Sequence, residues 1–266
     1  MGKQPQVWHY GLVARSWAEL QRDPGPEGAY FQRLVEQYGQ PALDMGCGTG
    51  RLLLPMVKAG LDVDGSDLSE DMLALAQERA LAEDLAVRLY NQPMHLLDLP
   101  RRYKTIFACG VVGLGGERKL TQQAMHRAHD HLRPGGCFAF DYTVRWNDPP
   151  AWLSRLPENR RSLPEEWAES GERDPLPDGT ELEMVARTVE TNPLEETAIR
   201  QIRARLYRDG KLLKEEIHTQ HLEDYSKNEL VMMLERAGFQ EIKITGDYTD
   251  EPATQDHGQL VFIAVK

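Results

Sequence analysis

The chain has 266 residues, of which 41% are hydrophobic, and a formal net charge of -11 at pH 7. This length suits one large α/β domain, or one domain that carries a sizeable insertion, and the acidity argues against nucleic-acid binding, which needs clustered Lys and Arg. No apolar run approaches the roughly 20 residues of a membrane span, and the N-terminus lacks a secretory signal pattern. Cys47, Cys109 and Cys137 show no metal-ligand spacing, so we expect a reduced, cytoplasmic setting without a metal site.

The first half of the chain alternates between helix and strand patterns. Two amphipathic helices are predicted first, at 7–20 and 28–38. The elements that follow are a strand at 41–45, a helix at 52–59, a strand at 61–66, a helix capped by Ser69 and running to about Ala82, strands at 87–90 and 105–109, a helix at 117–132 and a strand at 137–142. Strands that alternate with helices in this way indicate a doubly wound parallel sheet.

After Tyr142 the pattern changes. Residues 145 to about 178 are rich in Pro and Trp and have no clear period. Three strand-like segments follow, at 181–190, 197–208 and 211–222. The Asp209-Gly210 pair between the last two is a strong hairpin signal.

The α/β pattern then resumes. Ser226 and Glu229 form a capping box before a helix that ends at Gly238, and two final strands are predicted at 241–245 and 260–265. We therefore predict one α/β domain made of residues 1–144 and 224–266, interrupted by an antiparallel β subdomain at 145–223 that serves as a substrate platform or lid.

The glycine-rich segment from Asp44 to Gly50 (DMGCGTG) carries the most specific signal. It runs from a strand through a tight turn into a helix, where bare backbone and unpaired N–H groups approach a ligand. Asp67 follows the second strand, where an acid accepts both ribose hydroxyls of a nucleoside. The spacing G-x-G-x-G is one residue tighter than the G-x-G-x-x-G of dinucleotide folds. The segment therefore predicts a nucleoside-containing cofactor and disfavours a nicotinamide.

This pattern resembles the class I S-adenosylmethionine-dependent methyltransferases, whose first motif is an acid, one residue and then G-x-G-x-G. The resemblance continues at residues 65–73, similar to the family's second-strand motif, at 133–136, similar to the turn before its fifth strand, and at 237–239, similar to the turn before its sixth. It implies a Rossmann-like, doubly wound seven-stranded sheet with the antiparallel β insertion after the fifth strand.

The resemblance also implies roles for individual residues. Around the cofactor these are Gly46, Cys47 and Gly48 on the methionine part, Asp44 holding the loop, Asp67 on the ribose hydroxyls, Leu68 and Met72 on the adenine ring, Gln92, Pro93 and Met94 at the adenine edge, Cys109 beside the sulfonium, and Tyr10 and Arg15 closing over the cofactor, with Arg15 on its carboxylate. Pro93 departs from the family, because many relatives have there an Asp that accepts from the adenine amine. We expect Gln92 or a water to replace it.

The implied reaction is an in-line displacement in which an acceptor atom attacks the sulfonium methyl, leaving S-adenosylhomocysteine. Orientation of the two reactants supplies up to roughly 7–11 kcal/mol. Tyr10, His9, Tyr142 and His218 are the candidate bases near the predicted mouth. Because none is convincingly placed by the sequence, an amine acceptor is favoured over a hydroxyl.

All five tryptophans lie in the N-terminal helix or after the fifth strand. These are the regions that form the acceptor pocket in relatives, so we predict an aromatic-lined acceptor site. The alternative is that they fill the core of the insertion.

The leading hypothesis is a methyltransferase for a small molecule, acting as a monomer or homodimer without nucleic-acid or membrane partners. Two alternatives stay open: an RNA or protein methyltransferase, and a non-catalytic S-adenosylmethionine-binding protein that uses the insertion as a partner surface. The segment 147–150 (NDPP) resembles a motif of enzymes that methylate amines on nucleic acids or glutamine. Because it follows the fifth strand instead of the fourth and is followed by Ala151, we reject that assignment.

Overall fold

The computed structural model describes residues 7–115, 117–144, 152–153 and 156–266. The helices within these ranges are α1 (Gly11–Leu20), α2 (Gly25–Tyr38), α3 (Leu53–Lys58), α4 (Glu70–Ala82), α5 (Arg118–His131) and α6 (Lys227–Ala237). The strands are β1 (Ala42–Met45), β2 (Val63–Asp67), β3 (Leu89–Asn91), β4 (Tyr103–Ala108), β5 (Leu132–Thr143), β6 (Arg173–Pro175), β7 (Glu181–Asn192), β8 (Thr197–Arg208), β9 (Lys211–Glu223), β10 (Glu241–Gly246) and β11 (Gln259–Val265).

The main sheet has seven strands in the order β10-β11-β5-β4-β1-β2-β3. Strands β1 to β5 pair in parallel, and β11 is antiparallel to both β5 and β10. The predicted seven-stranded, doubly wound α/β architecture is confirmed. Since the carboxyl ends of parallel strands meet at one edge, the segments that follow β1, β2 and β4 lie side by side there.

Helices cover both faces of this sheet, which is why β1 and β2 are buried along their whole length. On one face α5 and α6 pack against β5, with Met125, Leu230 and Phe140 in one buried cluster. On the other face α2 and α3 supply Phe31 and Leu53 to a second cluster. The two cores hold the strand ends rigidly in register.

A second, antiparallel sheet has the order β6-β7-β8-β9. The three predicted strands are present, and Asp209 and Gly210 form the hairpin turn between β8 and β9, with φ of 51° and 74°. The sequence missed β6, because three residues that end in a proline carry no period. Trp8 and Leu12, before and within α1, pack against Leu182 on this sheet, so α1 joins the two sheets.

Two predicted helix starts are confirmed in their side-chain geometry. The Ser69 hydroxyl accepts a hydrogen bond from Met72 N at 3.2 Å, and the Ser226 hydroxyl accepts one from Glu229 N at 3.1 Å. The capping box at Ser226 is only half formed, because the Glu229 carboxylate instead accepts from Arg118 Nε at 2.8 Å. Gly238, with φ of 103°, ends α6 in the left-handed conformation as predicted.

No helix within the described ranges is both long enough and apolar enough to cross a membrane.

Candidate active site

Two adjoining clefts open at the carboxyl edge of the parallel strands, and both are bordered by Trp8, Gly46 and Asp67. The first cleft measures about 960 Å³ including its open mouth, and its walls include Leu68, Pro93, Met94, Met125 and Phe138. The second cleft measures about 690 Å³, and its walls include Asp44, Cys47, Gly48, Arg51 and Cys109. The first cleft is mostly apolar, whereas the charged side chains of Asp44 and Arg51 line the second.

The loop after β1 follows a path that requires glycine. Gly46 and Gly48 have φ of 90° and 53°, in the left-handed region. A Cβ on Gly46 would also lie 2.7 Å from Val111 Cγ1. The backbone N–H groups of Gly46 and Cys47 both donate to the Ser66 carbonyl, at 2.7 and 2.9 Å, which fastens the loop to β2.

Asp67, the last residue of β2, is held in a fixed orientation between two backbone amides. Its Oδ2 accepts from Gly48 N at 2.9 Å, and its Oδ1 accepts from Ser69 N at 2.8 Å. His9 Nε2 lies 3.3 Å from the same Oδ1. The side chain is only 6% exposed, so a pre-oriented acceptor faces both clefts.

Asp44, at the floor of the second cleft, is a buried carboxyl near a second acid. Burial raises its pKa to about 8, the nearby charge of Asp67 adds to the increase, and Arg51 opposes it. The same burial raises the pKa of the neighbouring Cys47 thiol well above its ordinary value. The second cleft therefore favours a cationic group, which would allow Asp44 to ionise.

Arg51, just before α3, presents its guanidinium to the second cleft. Its Nη1 donates to the Pro24 carbonyl at 3.0 Å and to Glu27 Oε1 at 2.5 Å, and its Nη2 lies 3.6 Å from Cys109 Sγ. No role for Arg51 was predicted from the sequence. The available signal was its position directly after the last glycine of the loop.

A buried polar group behind the clefts was also missed. Asp141 on β5 accepts from Gly110 N at 2.6 Å, from the Tyr248 hydroxyl at 2.5 Å and from Cys109 Sγ at 3.3 Å. Burial, with the adjacent carboxylate of Asp141, raises the pKa values of Tyr248 and Cys109. These bonds fix the turn after β4, where Gly110 has φ of 68° and open space beside its Cα.

Most of the sequence-predicted cofactor residues meet at the two clefts. Those that line one or both are Asp44, Gly46, Cys47, Gly48, Asp67, Leu68, Met72, Pro93, Met94 and Cys109. Gln92 does not line either cleft, because its amide is engaged with the Asp98 backbone at 2.8 and 3.3 Å. A direct role for Gln92 at the adenine edge therefore has no support in this geometry.

Tyr10 and Arg15 also lie off both clefts. The Tyr10 ring packs 4.2 Å from the His218 ring, and Arg15 Nη2 lies 3.0 Å from Asp178 Oδ1 and 3.4 Å from Thr180 Oγ1. The residues of this N-terminal segment that line the second cleft are Trp8, His9 and Trp17. The sequence does not reveal how α1 packs on the inserted sheet, so it did not indicate which of these side chains border a cleft.

Of the other candidate bases, His9 lines both clefts, whereas Tyr142 and His218 make structural contacts. The Tyr142 hydroxyl accepts from Tyr225 N at 2.7 Å. His218 is fully buried, with Nδ1 2.7 Å from the Trp8 carbonyl and Nε2 3.1 Å from Glu216 Oε2. Neither lines a cleft, so the structure corrects the expectation that they lie at the mouth.

Two roles were considered for the tryptophans, lining a ligand site and packing within the insertion, and the described ones divide between them. Trp8 and Trp17 line the second cleft, whereas the Trp167 ring packs against the guanidinium groups of Arg187 and Arg203. Trp152 is 50% exposed. Trp146 and the segment 147–150 lie outside the described residues.

Within the part of the chain that the structure describes, no group of three His, Cys, Asp or Glu side chains is arranged to hold a metal ion.

The sheet order, the glycine loop and the fixed acid at the end of β2 define an α/β fold with a site for a nucleoside-containing cofactor. Residues 42–136 match the family described as "Methyltransferase domain". A protein of Geobacillus sp. (strain WCH70) whose name describes it as a methyltransferase is 28% identical over 246 residues, which cover 90% of this chain and 91% of that protein.

Solved structures share the fold. A S-adenosylmethionine-dependent methyltransferase from Clostridium acetobutylicum superposes with a TM-score of 0.73 at 17% identity, covering 95% of this chain and 96% of that one. An amino pentose methyltransferase from Micromonospora echinaspora, solved with S-adenosylmethionine bound, superposes with a TM-score of 0.65 at 19% identity, covering 98% and 99%. Residues 42–136 therefore form a methyltransferase domain, and the chain has the fold of solved S-adenosylmethionine-dependent methyltransferases.

Proposed function

We propose that the chain transfers a methyl group from S-adenosylmethionine to an amine nitrogen of a small, largely apolar acceptor. The observation that carries the proposal is the carboxylate of Asp67, oriented by Gly48 N and Ser69 N at the junction of the two clefts. An acid fixed at this place in the fold suits the paired hydroxyls of a ribose. The division into a cofactor domain (1–144 and 224–266) and an inserted acceptor platform (145–223) belongs to the same proposal.

The chemistry of the cleft walls supports this cofactor. Leu68 and Met94 provide apolar surfaces for an adenine ring in the first cleft. The bare backbone of Gly110, with no atom within 4 Å of its absent Cβ, and the charged groups in the second cleft suit a zwitterionic amino acid. The cofactor supplies a methyl group activated by its positive sulfur. The residues of the chain orient it, exclude water and bring the acceptor into line.

The acceptor side of the site favours nitrogen over oxygen. Trp8, Val111 and Leu114 form an apolar wall common to both clefts. An apolar wall lowers the pKa of a bound amine and so favours its neutral, nucleophilic form, whereas a hydroxyl would still need a base. The amino pentose acceptor of the Micromonospora relative is consistent with this chemistry.

The test has a binding part and a turnover part. Calorimetry with S-adenosylhomocysteine should show micromolar binding by the wild type, and Asp67→Ala should lose it. Asp98→Ala is the matched control, because this exposed carboxyl borders neither cleft. Binding that survives in Asp67→Ala would contradict the assignment of the site.

Turnover is followed with methyl-labelled S-adenosylmethionine and paired acceptors that differ only in an amine or a hydroxyl on one amino sugar or aromatic scaffold. N-methyl products identified by mass spectrometry would support the proposal, and O-methyl products would overturn the choice of atom. Binding without turnover across these pools would favour the non-catalytic alternative. Salt-dependent retention on RNA, together with RNA methylation, would favour the nucleic-acid alternative.

A further inference from the structure

The second cleft is lined by a cationic side chain, that of Arg51. Among the described residues that border either cleft, Arg51 is the one Lys or Arg. It faces a cleft whose carboxyl groups belong to Asp44 and Asp67. A ligand that is both anionic and cationic would complement this arrangement, and the amino acid half of S-adenosylmethionine is such a ligand.

The guanidinium of Arg51 is fixed before any ligand arrives. Its Nη1 donates to the carbonyls of Asp23 and Pro24, at 3.3 and 3.0 Å, and to Glu27 Oε1 at 2.5 Å. These bonds use one nitrogen and leave Nη2 directed at the Cys109 side of the cleft, 3.6 Å from the sulfur. A guanidinium that is already held in one orientation loses little conformational entropy when it binds a carboxylate.

The alternative cation is engaged elsewhere. Arg15 is bound to Asp178 and Thr180 at the inserted sheet and borders neither cleft. Arg15 would reach a ligand in the second cleft only by giving up these contacts or by a turn of α1. Its present orientation is held by the bond from Leu12 N to Glu216 Oε2 at 2.7 Å and by the packing of Trp8 on the inserted sheet.

We infer that Arg51 binds the carboxylate of the amino acid half of the cofactor through its Nη2 edge, with the contacts to Asp23, Pro24 and Glu27 holding the guanidinium in place. The inference rests on the proposed function, since it needs S-adenosylmethionine in the clefts. It replaces Arg15, to which the sequence resemblance gives this role.

The experiment compares two ligands that differ in the amino acid half. S-Adenosylhomocysteine carries the carboxylate, and 5′-methylthioadenosine keeps the adenine, ribose and sulfur without it. Calorimetry is run on the wild type, Arg51→Gln, Arg51→Lys and Arg15→Gln. Thermal melting without ligand checks that each variant is folded.

We expect Arg51→Gln to bind S-adenosylhomocysteine about 10-fold to 100-fold more weakly, the usual effect of losing a hydrogen bond between charged groups. Its affinity for 5′-methylthioadenosine should stay within about twofold of wild type. The affinity of Arg51→Lys for S-adenosylhomocysteine should lie between those of the wild type and Arg51→Gln.

Two results would overturn the inference: an equal loss for both ligands in Arg51→Gln, or a selective loss for S-adenosylhomocysteine in Arg15→Gln. Failure of the wild type to bind either ligand would instead contradict the proposed function, so the two failures are distinguishable.

Discussion

Asp141 and Gly110 lie on adjacent strand ends, and the carboxylate Oδ1 of Asp141 accepts the backbone N–H of Gly110 at 2.6 Å. Through this bond β5 sets the course of the turn after β4, whose Cys109 and Gly110 line the second cleft. The other oxygen of Asp141 accepts from the Tyr248 hydroxyl at 2.5 Å. The loop between β10 and β11 therefore contributes to the position of the turn without lining either cleft.

Removal of this support should lower turnover more than cofactor affinity. In Tyr248→Phe the buried Asp141 loses one partner, which should cost about 1–2 kcal/mol of unfolding free energy and reduce kcat by a few fold. Asp141→Ala also leaves Gly110 N unpaired and should reduce kcat by about tenfold or more, since orientation dominates methyl transfer. Urea unfolding and steady-state kinetics measure the two effects.

Asp141→Asn is the informative companion, because its amide oxygen still accepts from Gly110. It should retain more turnover than Asp141→Ala. If all three variants changed only the KM for the cofactor, the turn would have no positioning role.

The buried carboxyl of Asp44 predicts a particular pH dependence of stability. Its pKa is raised from 3.8 to about 8, so between these values the folded protein keeps a proton that the unfolded chain has lost. The unfolding free energy contributed by this group therefore falls as the pH rises through that window. Asp44→Asn removes the fall and should be more stable than wild type near pH 8, by on the order of a few kcal/mol, with little difference near pH 4.

The measurement is the difference between the urea stabilities of wild type and Asp44→Asn, taken from pH 4 to 9 without ligand. Groups that titrate alike in both proteins cancel in this difference. A difference that does not vary with pH would show that Asp44 is ionised throughout.

Gly46 and Gly60 form a matched pair for testing the loop after β1. Both have positive φ, 90° and 84°. A Cβ on Gly46 would lie 2.7 Å from Val111, whereas a Cβ on Gly60 would meet nothing within 4 Å. Gly60→Ala should cost only the left-handed strain, about 1–2 kcal/mol, and keep its affinity for S-adenosylhomocysteine.

Gly46→Ala adds the clash with Val111, which should cost about 1–3 kcal/mol more of unfolding free energy. It should also abolish binding of S-adenosylhomocysteine, because Val111 or the loop would move into the clefts. Chemical unfolding and calorimetry on the two variants separate strain from loss of the site. Equal affinity in both would mean that the loop yields without affecting the ligand.

Local chemistry explains which features were predictable from the sequence. Ser69, Ser226 and the Asp209-Gly210 turn act on backbone groups within a few residues, so their patterns determine their structure. The glycine loop and Asp67 follow from the same short-range logic, because a parallel sheet brings the ends of β1 and β2 together whatever surrounds them.

The unpredicted features depend on partners distant in the chain. His218 would line a cleft only if its side of β9 faced the clefts. Its ring instead lies between the Trp8 carbonyl and the Glu216 carboxylate. Arg51 acquires a defined orientation because Glu27 on α2 and the carbonyls of Asp23 and Pro24 accept hydrogen bonds from it. No sequence pattern reports these contacts, so neither placement was predictable from the sequence.

Trp17 and Trp167 differ in what their rings contact, and this difference tests whether Trp17 contributes to acceptor binding. Trp17 is 36% exposed at the border of the second cleft, and Trp167 packs on two arginines of the inserted sheet. In Trp17→Leu the KM for an amine acceptor should rise about fivefold to tenfold, because part of an aromatic contact worth roughly 1 kcal/mol or more is lost. The affinity for S-adenosylhomocysteine should change little.

Trp167→Leu is the matched control and should lower the melting temperature through lost packing on Arg187 and Arg203, with the acceptor KM unchanged. Steady-state kinetics at saturating cofactor, together with thermal melting, give both values for each variant. If Trp17→Leu left the acceptor KM unchanged, the acceptor would approach from the first cleft, past Val112 and Leu120, and the wall formed by Trp8, Val111 and Leu114 would then be the one to probe.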